Sequence, residues 1–338
     1  MRALAIHAAD DIRLEELPDP QPGPEQVRLR VSHVGICGSD LHYFFHGANG
    51  EFRVREPLIP GHELSATVDL DPSGALAPGT PVTVHPARFG HEVPGIEDRP
   101  HLWPGGDYLG SAAPFPHRQG AAAELLVVER DMVRPLPEDL PLRRAALAEP
   151  LAVALHAVRI AQRTCRDLTG ARALVLGCGP IGLLAIAALT ARGATDVTAG
   201  DVRPEPLERA RAAGASATVL IGSEDVEDTA YDVVLECSGV PASLSTALRA
   251  ASRAATVVQV GMLPGQDVPV SLAPLVSKEV TLAGTFRFLD EIDAAIELLA
   301  ADDRFDAVIT HAFGADRARE AFATARDSAA SGKVLLEM

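Results

Sequence analysis

Apolar and polar residues alternate in short runs along the first part of the chain. Strand-like segments occur at RALAIHA, VRLRVSHVG, SATVDL, TPVTVHP and AAELLVV, with turns such as PDPQPGPEQ between them. Alternation with a period of two over runs this short is typical of half-buried β-strands. Residues 86 to 120 are rich in Pro and Gly and show no period, which indicates a functional lobe or an assembly surface. The N-terminal part is therefore predicted to be mostly β.

The pattern changes near residue 142, where strands begin to alternate with helices. The segment LRRAALAEPLAVALHAVRIAQR has helical spacing, which Pro150 is predicted to interrupt. The alternating segments that follow are ALVLG, IGLLAIAALTARG, DVTAGD, PLERARAAGA, DVVLECSG, PASLSTALRAA and TVVQVG. This alternation predicts a parallel sheet with crossover helices. VTLAGTF, DEIDAAIELLA and GKVLLEM then predict a strand, a helix and a last strand.

A glycine-rich turn lies between the first strand and the first helix of the second part. GCGPIG spans residues 177 to 182, and an acidic residue, Asp201, ends the next strand. Glycines in this context let the backbone approach a pyrophosphate, whose charge is met by free N–H groups at the helix start. The residues expected to contact a dinucleotide are Gly177, Gly179, Pro180, Ile181, Gly182, Asp201, Arg203 and Val260.

The choice between NAD and NADP depends on two of these residues. Asp201 can accept hydrogen bonds from the adenosine ribose hydroxyls, and its charge would repel a 2′-phosphate, so NAD is favoured over NADP. Arg203 leaves an alternative open, since it would accommodate that phosphate if it turned inward. Its other interpretation is an ordinary surface arginine.

Composition and charge narrow the class of protein. A chain of 338 residues with 47% hydrophobic residues favours two domains. The sequence contains no long apolar run and no secretory signal, and its four dispersed cysteines fit a reducing compartment, so we expect a cytoplasmic protein without membrane contact. The net charge of −16 argues against a nucleic-acid partner, which needs a dense basic patch.

Four residues in three separate motifs offer the chemistry of a zinc site. Cys37, His62, Glu63 and Glu149 supply thiolate, imidazole and carboxylate groups, all of which bind zinc. Each of them also has an ordinary interpretation as a buried or surface residue, and their spacing alone does not join them.

The order of the motifs resembles a known family over essentially the whole chain. VGICGSDLHYF, IPGHE, AEPLAVALHA and the glycine-rich turn are similar to the zinc-dependent medium-chain dehydrogenase/reductase family. LHYFFHG, GSAAPFPHRQG, VQVGM and GTFRF resemble its polyol branch. The resemblance implies an α/β protein with a GroES-like, mostly-β catalytic domain at 1–148 plus 287–338. A Rossmann doubly wound parallel-sheet domain is inserted at 149–286, and a homodimer or homotetramer is expected.

The resemblance also implies the roles of the site residues. Cys37 and His62 would bind a catalytic zinc, with Glu63, Glu149 or both as further ligands. Zinc would stabilise a substrate alkoxide while hydride moves to the nicotinamide. Ser39 would take the proton and His42 would carry it towards solvent. Asp40 would orient His62 by holding its other ring nitrogen, with ordinary loop hydrogen bonding as the alternative.

The chain departs from many relatives in the lobe that carries their structural zinc. Residues 86 to 105 contain no cysteine, and only His85, His91 and His101 lie in or beside that stretch. A structural zinc site usually needs four ligands that include thiolates. We therefore predict one catalytic zinc per subunit and no structural zinc.

The expected partner is a small sugar acid or polyol. Tyr43, His117, Glu149 and Arg287 are the candidate substrate contacts, and the Arg287 guanidinium suits a carboxylate. An interdomain or surface ion pair is the alternative for Arg287. Oxidation of L-idonate to 5-keto-D-gluconate is the specific expectation. A sorbitol, xylitol or aminocyclitol dehydrogenase is the alternative enzyme, and a non-catalytic dinucleotide-binding or sensing protein is the alternative of another class.

Overall fold

A computed structural model describes residues 1–165 and 167–338 of the chain. The N-terminal part contains β1 (Arg2–Ala8), β2 (Asp11–Glu16), β3 (Gln26–Gly35), α1 (Gly38–His46), β4 (Ala48–Asn49), β5 (Phe52–Arg53), β6 (Glu63–Leu70), β7 (Pro81–Val84), β8 (Ala87–Arg88), β9 (Asp107–Tyr108), β10 (Leu125–Glu129), β11 (Val133–Pro135) and α2 (Leu142–Ala145). The middle part contains α3 (Ala148–Ala161), β12 (Arg172–Leu176), α4 (Pro180–Ala191), β13 (Asp196–Asp201), α5 (Pro204–Ala212), β14 (Ala217–Leu220), β15 (Tyr231–Glu236), α6 (Pro241–Ala250), β16 (Ala251–Gln259), α7 (Ala273–Ser277) and β17 (Thr281–Gly284). The C-terminal part contains α8 (Glu291–Ala301), β18 (Ile309–Gly314), α9 (Ala318–Arg326) and β19 (Lys333–Glu337).

The N-terminal strands form a mainly antiparallel sheet in the order β11-β7-β6-β3-β19-β18, with β10 also paired to β3. Strand β3 alternates buried and more exposed residues as far as Val31, and its register against β6 shifts between Arg28 and Leu29 and again between Val31 and His33. Strand β19 pairs antiparallel with β3, placing Leu335 opposite Gly35. The C-terminal tail therefore rejoins the N-terminal sheet, as predicted.

The middle part forms a parallel sheet in the order β14-β13-β12-β15-β16-β17. Its central strand β12 has four consecutive buried residues, as expected for a strand covered on both faces. Helix α4 is apolar nearly all round and packs beside α3 in the same core. The predicted α/β class with a GroES-like part and a Rossmann sheet is confirmed.

One local prediction was wrong. Pro150 does not interrupt a helix: α2 ends at Ala145, and Pro150 lies in the first turn of α3. The first turn tolerates proline because the N–H that proline lacks has no intrahelical partner there. The helix therefore starts before Pro150 and carries Glu149 in its first turn.

Helix α3 connects the two regions. It packs against α4 and α8 in the core of the parallel sheet and also contacts β6 of the N-terminal sheet. Ile292 and Leu299 of α8 are buried in that same core. The boundaries at 148/149 and 286/287 stay predictions. In the described part of the chain, no helix combines the length and the apolar character needed to span a membrane.

Candidate active site

The segment that begins α1 holds Cys37 through a buried carboxylate. Cys37 is the residue before α1, and its N–H donates to Asp40 Oδ2 at 2.9 Å. The other oxygen, Asp40 Oδ1, accepts the N–H of Gly61 at 3.1 Å. Asp40 therefore ties together the two backbone segments that carry Cys37 and His62. This differs from the expected role, since His62 Nδ1 has no hydrogen-bond partner among the described residues.

Three of the predicted ligands lie together. One ligand atom each from Cys37, His62 and Glu63 lie within 4.8 Å of one another. Burial disfavours charged His62, but the neighbouring Cys37, Asp40 and Glu149 outweigh it and raise the pKa of His62 to about 10. A buried imidazole beside a thiol and carboxyl groups, with one ring nitrogen that has no partner among the described residues, fits a cation such as Zn²⁺.

Glu63 also has a buried cationic partner that the sequence did not reveal. Lys333 Nζ lies 2.7 Å from Glu63 Oε1 and 2.6 Å from Oε2, and it donates to the carbonyl of Ile36 at 3.1 Å. Both side chains are almost inaccessible. A Cβ on Gly35 would lie 2.0 Å from Glu63 Oε2, so only glycine leaves room for this pair. Strand β19 thus brings a positive charge to the ligand cluster.

Glu149, the fourth predicted ligand, lies at the start of α3 and is not one of the three residues whose ligand atoms lie within 4.8 Å of one another, although its carboxyl is near enough to influence His62. Burial raises the pKa of its carboxyl, and the nearby charge of Glu63 acts in the same direction. The Tyr108 hydroxyl donates to Glu149 Oε1 at 2.6 Å. The Tyr108 ring also lies edge-on to the His62 ring, with 5.3 Å between centroids. Tyr108 is a second site residue that sequence reasoning missed.

Arg287 covers one face of the Tyr108 ring. Its guanidinium carbon lies 4.1 Å from the Tyr108 ring centroid and 4.8 Å from that of Phe286. Among residues 1–165 and 167–338, no acidic side chain lies within ion-pair distance of this guanidinium. Burial lowers its pKa. The backbone of Arg287 has a φ of +52°, a conformation that few non-glycine residues adopt.

The predicted proton-transfer residues lie on α1. Ser39 and His42 are one turn apart on this helix, so they share one face. Ser39, nearer to Cys37, is partly buried, whereas His42, one turn further along the helix, is exposed to solvent. His42 Nδ1 lies 3.3 Å from His46 Nδ1. Partial desolvation of the imidazole and the neighbouring His46 lower the pKa of His42.

Two of the predicted substrate residues, Tyr43 and His117, form hydrogen bonds that fix neighbouring loops. The buried Tyr43 hydroxyl accepts the N–H of Ala112 at 3.1 Å. His117 Nε2 accepts the N–H of Arg55 at 2.9 Å, and its Nδ1 lies 2.9 Å from the carbonyl of Pro114. Both ring nitrogens of His117 are therefore used, and the structure does not bring it into the ligand cluster.

The glycine-rich turn has the geometry that a pyrophosphate requires. Gly177 has a φ of +89°, and a Cβ on Gly182 would lie 1.9 Å from the carbonyl oxygen of Gly177. A Cβ on Gly179 would meet no described atom within 4 Å, so the space beside the start of α4 is open. Pro180 and Ile181 form the first turn of this helix. The turn therefore fits a dinucleotide phosphate.

Asp201 ends β13 beside this turn. Its Oδ2 accepts the N–H of Cys178 at 2.8 Å, and its Oδ1 accepts that of Arg203 at 3.1 Å. The Arg203 side chain lies 3.6 Å from the Asp327 carboxylate. Val260 follows β16, and its N–H donates to the carbonyl of Glu236 at 2.8 Å.

The Pro- and Gly-rich lobe at 86–120 is held by hydrogen bonds and ion pairs. Arg88 pairs with Asp107 and lies 3.0 Å from Glu129. His85 Nε2 lies 2.9 Å from the carbonyl of Leu289, and the His101 ring packs edge-on to His156 with 4.9 Å between centroids. These contacts attach the lobe to both regions of the chain.

Known proteins share both halves of this architecture. Residues 23–138 match the family described as alcohol dehydrogenase GroES-like domain, and residues 180–301 match the family described as zinc-binding dehydrogenase. The chain belongs to the zinc-dependent medium-chain alcohol and polyol dehydrogenases, and it is an enzyme of that class.

Individual relatives indicate which branch of the family the chain is most similar to. Sorbitol dehydrogenase of Gallus gallus is 34% identical over 341 residues, covering 96% of this chain and 93% of the relative. L-idonate 5-dehydrogenase (NAD(P)(+)) of Escherichia coli is 34% identical over 278 residues, covering 80% of each. The crystal structure of L-idonate 5-dehydrogenase from E. coli superposes with a TM-score of 0.92 at 30% identity, covering 100% of this chain and 98% of that one. These similarities confirm the polyol branch.

Proposed function

We propose that this enzyme oxidises a secondary alcohol of a sugar acid with NAD, and that L-idonate, giving 5-keto-D-gluconate, is its substrate. The observation that carries the proposal is Arg287, a largely buried guanidinium without an acidic partner in the described residues. An unpaired cation in a site is costly unless a ligand supplies the missing charge. A sugar-acid carboxylate supplies it, whereas sorbitol does not. The E. coli relative named for L-idonate supports the same choice.

Sorbitol, xylitol or an aminocyclitol is the second candidate substrate class. The sorbitol dehydrogenase of Gallus gallus matches a larger share of the chain than the L-idonate enzyme does. Both candidate substrates would use the same metal and nucleotide residues, and a contact between Arg287 and a carboxylate would favour the sugar acid. A non-catalytic dinucleotide-binding protein is set aside because the chain belongs to an enzyme family.

In the proposed site, Cys37 and His62 hold the metal with Glu63, Glu149 or both. Zinc and NAD, when bound, supply a Lewis acid for the substrate oxygen and an acceptor for the hydride. Ser39 takes up the alcohol proton as its own hydroxyl proton leaves towards His42, and His42, which is exposed one turn further along α1, passes a proton on to solvent. Asp40 keeps Cys37 and His62 at a fixed separation by holding both backbone segments.

Further parts of the proposal concern the cofactor and the assembly. Asp201 favours NAD over NADP, and Arg203 would have to leave Asp327 to contact a 2′-phosphate. Three further properties stay predictions: one catalytic zinc per subunit without a structural zinc, assembly as a homodimer or homotetramer, and a cytoplasmic location.

The test is NADH formation by the purified, zinc-loaded protein with L-idonate, D-gluconate, sorbitol, xylitol and L-threonine, with Cys37→Ser as the control. Turnover of L-idonate above the other compounds, lost in the control, is the expected result. Preferential turnover of sorbitol or xylitol would keep the class and refute the sugar-acid assignment. Inactivity on all five would direct the search to aminocyclitols.

A further inference from the structure

Tyr108 contacts three residues of the proposed site that have different tasks. Its hydroxyl donates to Glu149, its ring packs against the His62 ring at an interplanar angle of 67°, and one face of its ring supports the Arg287 guanidinium. It is only 6% exposed. A phenol in this position therefore lies between the metal residues and the group proposed to bind the substrate carboxylate.

The lobe brings Tyr108 to this position and keeps it there. Tyr108 belongs to β9, which pairs antiparallel with β8, so that Tyr108 lies opposite Ala87. The neighbouring residue Asp107 is held by Arg88 and lies 3.6 Å from Arg118. A Cβ on Gly90 would lie 1.9 Å from the carbonyl oxygen of Pro104, so the hairpin backbone is closely packed. Tyr108 is therefore held by the pairing of its own strand as well as by the groups that it contacts.

We infer that Tyr108 is a positioning residue that acts on the metal residues through its hydroxyl and on substrate recognition through its ring. The hydroxyl occupies one oxygen of Glu149 and thereby fixes the orientation of that carboxylate beside His62. The ring supports a guanidinium that has no acidic partner in the described part of the chain. This inference rests on the proposed function for its substrate half, whereas its metal half does not require a known substrate.

The two halves can be separated by substitution. Tyr108→Phe removes the hydroxyl and keeps the ring under Arg287, whereas Tyr108→Leu removes both. Tyr231→Phe is a matched control, because Tyr231 is also buried and also lies under an arginine, with the Arg172 guanidinium carbon 5.0 Å from its ring centroid. Circular dichroism and melting temperature establish that each variant is folded.

The first readout is zinc affinity, measured by competition with a chromophoric chelator. Groups that orient metal ligands typically contribute about 10-fold or more to metal affinity, so Tyr108→Phe should bind zinc about 10-fold more weakly than wild type. Tyr231→Phe should match wild type. Unchanged zinc affinity in Tyr108→Phe would overturn the metal half of the inference.

The second readout is kinetic. Tyr108→Phe should lower kcat about 10-fold with little change in KM, and Tyr108→Leu should in addition raise KM for L-idonate more than for sorbitol. Combined with Glu149→Gln, Tyr108→Phe should add less than its single effect, because both changes disturb one interaction. Full additivity, or an equal KM rise for both substrates, would contradict the inference. If wild type oxidises none of these compounds, the proposed function fails, and zinc affinity still decides the metal half.

Discussion

Replacing Lys333 with methionine should reveal the charge that Glu63 carries in the metal-free chain. The substitution keeps an unbranched side chain of similar length but leaves the buried Glu63 carboxylate without its partner at 2.6–2.7 Å. Removing one member of a buried ion pair typically costs about 3–5 kcal/mol, because the remaining charge is neither solvated nor paired. At roughly 2 °C per kcal/mol for a chain of this size, the melting temperature of the metal-free protein should fall by about 6–10 °C.

Zinc should reduce this loss. A divalent cation beside Cys37, His62 and Glu63 replaces the missing positive charge, so zinc should raise the melting temperature of Lys333→Met more than that of wild type. Thermal unfolding of the metal-stripped and zinc-loaded proteins measures both effects.

The matched control is Lys278→Met. Lys278 Nζ donates to three backbone carbonyls, including that of Ala251 at 2.8 Å, and within residues 1–165 and 167–338 it has no buried carboxylate as a partner. Its substitution should cost less and should not respond to zinc. Adding Glu63→Gln to Lys333→Met should recover part of the stability by removing the orphaned charge. The reasoning is refuted if Lys333→Met melts like wild type without metal, or if Glu63→Gln makes it less stable still.

Two further predictions concern the nucleotide site and the pH dependence of stability. Asp201→Ala should raise KM for NAD by about 10-fold or more, because hydrogen bonds to a charged group contribute about 1.5–3 kcal/mol. If the variant and wild type have equal KM values for NAD, Asp201 does not contact the ribose. Burial opposes ionisation of Glu291, but its hydrogen bond to His156 at 2.7 Å and the N–H of Leu289 lower its pKa to about 2. A lowered carboxyl pKa stabilises the fold above the ordinary value of 4.5, and this stabilisation is lost as pH falls towards 2. Glu291→Gln should therefore lower the free energy of unfolding by about 2–3 kcal/mol at pH 7 and by progressively less below pH 4.5. The melting temperatures of variant and wild type, measured across this pH range, test the prediction. A loss of stability that does not depend on pH would show that the carboxylate charge is not responsible.

The sequence predicted the parts of the site that follow from local motifs. The glycine-rich turn lies between a strand and a helix, because the same residues that fit the turn geometry also end one element and begin the next. Cys37, His62 and Glu63 could be named as a group only by resemblance, and the fold brings them within 4.8 Å. The sequence singled out Asp40 as a supporting residue, but it did not predict that Asp40 accepts the backbone N–H groups of Cys37 and Gly61.

The site residues that the sequence did not predict are those whose role depends on contacts between segments far apart in the chain. Lys333 lies 270 positions from Glu63 and meets it only because β19 pairs with β3. Tyr108 lies 41 positions from Glu149, in a lobe without hydrophobic periodicity. His117 belongs to a phrase typical of the polyol branch, yet both of its ring nitrogens are engaged in the loop. Local pattern carries no information about such contacts, which depend on tertiary structure.

The most direct test of the proposed function compares kcat/KM for L-idonate and sorbitol in wild type and Arg287→Met. Methionine retains the unbranched stem over Tyr108 and removes the guanidinium, and Arg317→Met, at an exposed arginine stacked on Phe313, is the control. A charged hydrogen bond contributes about 1.5–3 kcal/mol, so the preference of wild type for L-idonate should fall by about 10- to 100-fold in Arg287→Met, with sorbitol turnover little changed. Equal losses for the two substrates, or no preference for L-idonate in wild type, would contradict the assignment of a sugar acid.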